Sequence, residues 1–176
     1  MTRPRDIGTR AESAVVKYLV ANGFAHAERR SLRGALDAGD ITGTPGICWE
    51  VKGGEAAKAA SDLTIAGWMQ ELATETVNAK ADVGVLVVQR RGVGPSNAGR
   101  WWAYMPCWQV AFLSEAGKWQ PGLAFPVRML LADAVTLLRA AGYGTQPEPR
   151  PAVAPYLPAA AAPEGITDIT LPEQVA

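Results

Sequence analysis

Histidine and cysteine are nearly missing from this chain of 176 residues, which has one histidine and two cysteines. Cys48 and Cys107 are too few for a disulfide framework or for a cysteine-ligated zinc or iron–sulfur centre. With His26 alone, neither a histidine metal motif nor a Ser/His/Asp set can be built, and an ordinary, partly exposed His26 is expected. No apolar run reaches the roughly 18 residues of a membrane span. No signal-peptide core follows Met1-Thr2-Arg3-Pro4-Arg5-Asp6, so the expected compartment is the cytoplasm, with no membrane partner. A glycine-rich phosphate loop or other cofactor motif is also lacking, which argues against a small-molecule enzyme. Net charge is lacking too, since 17 basic residues balance 17 acidic ones.

That neutrality is a sum of unlike parts. Residues 144–176 hold seven of the thirteen prolines and the run Ala159-Ala160-Ala161-Ala162. They carry Arg150 against Glu148, Glu164, Asp168 and Glu173, a net charge of −3. Such a segment buries too little apolar surface to offset its ordering entropy, and it is expected to be a flexible tail. Residues 1–143 are left with net +3 and an apolar content fit for one core. Neutral composition therefore hides a basic domain, and nucleic acid stays open as a partner.

Periodicity within 1–143 predicts alternating elements. Val15, Val16, Leu19 and Val20 repeat at helical spacing over 10–21, and Asn22-Gly23 stops the helix. A strand is expected over 24–32 and a short one around 40–42. The turn Gly43-Thr44-Pro45-Gly46 then leads into a partner strand over 47–52. Ser61 is an N-cap for a helix reaching Ala79, with Leu63, Ile65, Met69, Leu72 and Thr76 on one side. Val83–Val88 reads as a buried strand, and 101–105 as another. Two shorter helices follow near 108–115 and 131–141. These elements imply an α/β layer structure with a mixed sheet flanked by helices.

The chemistry concentrates around the hairpin. In a strand alternate residues share a face, so Cys48, Glu50 and Lys52 point one way and apolar Ile47, Trp49 and Val51 the other. A turn at 43–46 brings Asp40 alongside. Two carboxylates and an ammonium then converge, and neighbouring carboxylates call for a cation such as Mg²⁺, which takes one or two carboxylates plus waters and phosphate oxygens. Glu12 has two readings. It could be a further carboxylate at the end of the apolar stripe, or it could close a capping box with Thr9. An exposed, solvating Glu50–Lys52 pair is the plain alternative for the strand.

The set Gly8-Thr9-Arg10-Ala11-Glu12 on a helix, then Gly39-Asp40-Ile41, then Trp49-Glu50-Val51-Lys52, resembles the PD-(D/E)XK nuclease superfamily. Within it the chain looks most like archaeal-type and phage Holliday junction resolvases, over about residues 5–105. The resemblance implies a restriction-endonuclease-like fold and favours the catalytic reading of Glu12. Asp40 and Glu50 would be metal carboxylates, joined by the Val51 backbone carbonyl, with Glu12 holding a metal-bound water or a second ion. Lys52 would orient or deprotonate the attacking water and stabilise the developing charge. Gln70 matches loosely a glutamine that follows the signature. Gly39 departs from the superfamily's proline. Mg²⁺, with Mn²⁺ as substitute, would be the cofactor, and branched DNA cut by a homodimer the substrate.

Basic residues form three groups: Arg3, Arg5 and Arg10; Arg29, Arg30 and Arg33; Arg90, Arg91 and Arg100. In the implied fold they border the site and contact phosphates, with a solvated surface as the alternative for each. Six tryptophans are many for this length. Trp49 is expected in the core. Trp101, Trp102, Trp108 and Trp119 are candidates for core packing, base stacking or a dimer interface. Two rivals remain: a nuclease of the same fold for single strands, flaps or nicked duplex, and a DNA-binding subunit without cleavage.

Overall fold

The computed structural model describes residues 4–31, 37–114 and 123–145. The expected tail, apart from Gly144 and Thr145, lies outside the described residues, as do Arg3, Arg33 and Trp119. A compact unit spans residues 1–146.

The chain begins with α1 (Pro4–Ala21), which starts six residues before the expected boundary. Proline is favoured in the first helical turn, where its missing N–H has no partner to lose. Gly23 at φ 95° ends the helix by letting Phe24 N–H return to the Leu19 carbonyl at 3.0 Å. Among the described residues of the strand expected over 24–32, only β1 (Glu28–Arg29) pairs, because its partner β2 (Ile41–Thr42) is equally short. β2 turns through residues 43–46 into β3 (Ile47–Lys52). The chain then crosses through α2 (Gly54–Lys58) and α3 (Asp62–Asn78) to β4 (Val83–Val88), which lies parallel to β3. Ser61 caps α3 as expected, its Oγ accepting from Thr64 N–H at 3.2 Å.

A 3-10 helix (Pro95–Arg100) leads to β5 (Trp102–Pro106), followed by α4 (Cys107–Leu113), β6 (Pro126–Leu130) and α5 (Leu131–Ala140). The described strands form one six-stranded mixed sheet in sequential order, antiparallel except for β3 and β4. One face carries Ile47, Trp49 and Val51 against Val15 and Leu19 of α1 and Leu131 and Leu138 of α5. The other carries Cys48, Leu86 and Val88 against Ile65 and Leu72 of α3. The alternation expected in β3 therefore holds, but both faces are covered by helices. Trp49 and Trp101 are wholly buried, and Leu63, expected on the packed side of α3, is 84% exposed. Among the described residues no helix is long and apolar enough to cross a membrane.

Candidate metal and catalytic site

Two glycines bring the acidic residues together. Gly39 has φ 85°, and a Cβ there would lie 2.7 Å from the Trp49 carbonyl oxygen. The proline of the resembled motif has its φ locked near −65° and could not take this conformation. The turn lets Asp40 N–H donate to the Trp49 carbonyl at 2.7 Å, while Asp40 Oδ2 accepts from Val51 N–H at 2.8 Å. Asp40 is thus tied to β3 on either side of Glu50. At Gly53 a Cβ would collide with Ala11 Cβ, so its absence lets the end of β3 approach α1 next to Glu12.

Glu50 is buried on the α3 side of the sheet, and Lys52 follows on the same face. Lys52 Nζ lies 2.7 Å from Glu50 Oε1 and 3.0 Å from Glu71 Oε2 of α3, with the Trp68 ring centroid at 5.6 Å. Glu75, one turn beyond Glu71, is 6% exposed, and its Oε2 is buried with no hydrogen-bond donor. Glu12 faces the cluster from α1 and pairs with Arg29, whose Nε donates to Glu12 Oε2 at 2.8 Å.

The electrostatics follow from crowding acids in a poorly hydrated place. Burial, then the Glu50 charge, pushes Asp40 up to about 7, with a smaller push from Glu12. Burial likewise raises Glu50 to about 7 against the pull of Lys52, and Glu75 pushes the same way. Glu75 is also raised, chiefly by burial. Lys52 is raised: burial works against its charge, but Glu50 and Glu71 outweigh it. The Cys48 thiol is pushed up to about 12, mainly by burial, which removes it as a nucleophile at neutral pH.

Asp40, Glu50 and Glu75 thus repel one another, while Lys52 is shared between Glu50 and Glu71, and an additional cation would relieve the repulsion. Among the described residues no group of three or more His, Cys, Asp and Glu side chains is arranged to hold a metal by itself. Asp40 and Glu50 could supply two ligands, which suits a cation completed by water and substrate oxygens.

The other expected positions fall as follows. Glu12 does not close a capping box, because α1 starts at Pro4 and leaves Thr9 inside the helix; its carboxylate reaches Arg29. Arg29 is therefore occupied by an ion pair. Arg10 and Arg30 are exposed, and the Arg30 backbone N–H donates to the Asp40 carbonyl at 2.7 Å. Gln70 does not face the carboxylates. It lines a largely apolar cavity of about 620 Å³ between α3 and α4, together with Met69, Trp108 and Gln109. Arg90 and Arg91 line a separate basic cavity beyond β4. Sequence reading missed Glu71 and Glu75. Their spacing from Trp68, three and seven residues on, was the available signal, because it puts all three on one helical stripe.

No protein-family model, curated protein or solved structure matches the chain.

Proposed function

We propose that this protein is a metal-dependent, structure-specific DNA endonuclease of the restriction-endonuclease-like fold, with Holliday junctions as its preferred substrate. The observation that carries the reading is the set Asp40, Glu50 and Lys52 on one hairpin, with Asp40 Oδ2 accepting from Val51 N–H at 2.8 Å and Lys52 Nζ 2.7 Å from Glu50 Oε1. A helix carrying Glu12, an antiparallel hairpin, a helical crossover and a parallel strand agree with the resemblance to PD-(D/E)XK nucleases in order.

Asp40 and Glu50 would hold Mg²⁺ or Mn²⁺ with the Val51 carbonyl, and Glu12 would approach through water. The ion supplies neutralisation of the phosphate and acidification of water. Lys52 orients the scissile phosphate and offsets charge on its oxygens as the bond order changes. Its raised pKa keeps it an ammonium, which favours this role over taking the proton from water. A homodimer with opposed sites would cut a four-way junction symmetrically.

Labelled four-way junction, flap, plain duplex and single strand, incubated with and without Mg²⁺, test the reading. Paired nicks in the junction alone are expected. Equal cutting of plain duplex would overturn the substrate, and no metal-dependent cutting of any would favour a binding subunit.

A further inference from the structure

The sheet face that bears Glu50 and Lys52 continues across β4 to β5 and β6. Pairing places Lys52, Val88, Trp102 and Leu130 side by side in one row, and Glu50, Leu86, Tyr104 and Arg128 in the next. Val88 and Leu86 are buried beneath the helical layer, whereas Trp102 and Tyr104 are half-buried. Over Trp102 two guanidiniums gather. The central carbon of Arg90, just past β4, lies 4.2 Å from the ring centroid, and that of Arg128 on β6 lies 4.7 Å away. Lys58 of α2 and the first turn of α3 complete a cavity of about 300 Å³. Lys58, Arg90, Arg91 and Arg128 line it, against one carboxylate, Asp62.

Three guanidiniums and an ammonium thus share the lining of one small cavity. Among the described residues none of the three arginines forms an ion pair with a carboxylate, and Lys58 pairs with the exposed Glu55. The indole attracts both guanidiniums through its π face. That contact fixes the planar forks and engages none of their N–H donors. A polar cavity with oriented, uncommitted donors is suited to a doubly bonded oxyanion.

Position indicates which oxyanion. Trp102 stands two strands from Lys52, about 10 Å at the usual ~4.8 Å strand spacing. Val88 between them lies under α2 and α3, so a strand with one phosphate at Lys52 would pass over that layer to place a later phosphate at Trp102. We infer that the Arg90–Trp102–Arg128 cavity binds a backbone phosphodiester of the same nucleic-acid strand that enters the carboxylate site, with Arg90 and Arg128 as donors and Trp102 as the support that orients them. This rests on the nuclease reading, but it is testable without cleavage.

The test measures binding of labelled single-stranded DNA and of four-way junction to the full chain in EDTA, as a function of salt. Arg128→Ala and the double variant Arg90→Ala/Arg128→Ala are compared with the unaltered protein after melting curves establish that each folds. About tenfold weaker binding and a salt slope shallower by about one are expected for the double variant. Arg128→Ala, at an exposed position, should show the same direction if the double variant melts early. Trp102→Leu, which keeps both arginines, should weaken binding as well. Unchanged affinity and slope in a well-folded Arg128→Ala would overturn the inference. Displacement of DNA by inorganic phosphate at equal efficiency to a short oligonucleotide would also overturn it, by assigning the cavity to free phosphate. Loss of affinity in these variants, in a protein that cuts no DNA with Mg²⁺, would uphold this site and sink the nuclease reading.

Discussion

Asp40 owes its place to a residue with no side chain. Gly39 takes a left-handed turn that alanine adopts only with strain, and an added methyl would press on the Trp49 carbonyl oxygen. Gly39→Ala should therefore cost about 1–3 kcal/mol, visible as a lower Tm, and reduce cleavage by displacing Asp40. The raised acids give a pH dependence with a definite sign. Asp40 and Glu50 bind protons more tightly in the folded protein, at about 7, than unfolded near 3.8 and 4.5. Without divalent ions, their contribution to stability should fall as pH rises from about 4 to about 7 and stay low above that. Mg²⁺ should raise Tm more at pH 8 than at pH 5, and equal shifts would contradict a cation at these carboxylates. Much of this set was legible in the sequence, because a strand's two-residue period makes Glu50 and Lys52 neighbours and the turn at 43–46 returns Asp40 to them. The partner of Glu12 was not, since Arg29 meets it only through the pairing of β1 with β2.

At the scale of elements, α3 supplies what the hairpin lacks. Trp68, Glu71 and Glu75 form a stripe facing Lys52 and Glu50, beside the apolar stripe of Ile65 and Leu72. A reading led by hydrophobic spacing follows the apolar residues and passes over acids, because it cannot say what lies opposite them. Glu75→Gln removes a buried charge and gives the Glu50 side a donor. It should raise stability by about 1 kcal/mol at pH 8, or roughly 2–4 °C in Tm, with a smaller change at pH 5. A lower Tm at pH 8 would show that Glu75 is paired in a way its donorless Oε2 does not suggest. Elements set by distant partners were the hardest to foresee. β6 opens on Pro126 and shows little alternation, and its strand form comes from pairing with β5. The Gly53-Gly54 pair conceals the start of α2. β4 and the capped α3, by contrast, announce themselves through an unbroken apolar run and a serine at the right place.

For the whole molecule, charge is divided by region and function would follow that division. Residues 1–143 carry net +3 and residues 144–176 net −3. Thr145 N–H donates to the Gly23 carbonyl at 2.7 Å, so the end of the compact unit includes this residue. Removing residues 147–176 should leave cooperative melting intact and tighten non-specific DNA binding at low salt, with the difference fading as salt rises. Loss of cooperative melting would show that the core needs the acidic segment. The proposed role of Asp40 and its neighbours in metal-dependent phosphodiester cleavage is checked by the rate at which unaltered protein and Asp40→Asn cut a labelled four-way junction in Mg²⁺, alongside their affinity for it in EDTA. Cleavage should be abolished in Asp40→Asn, with junction binding equal or tighter because one negative charge facing phosphate is gone. Cleavage at the unaltered rate by Asp40→Asn would remove Asp40 from the catalytic set.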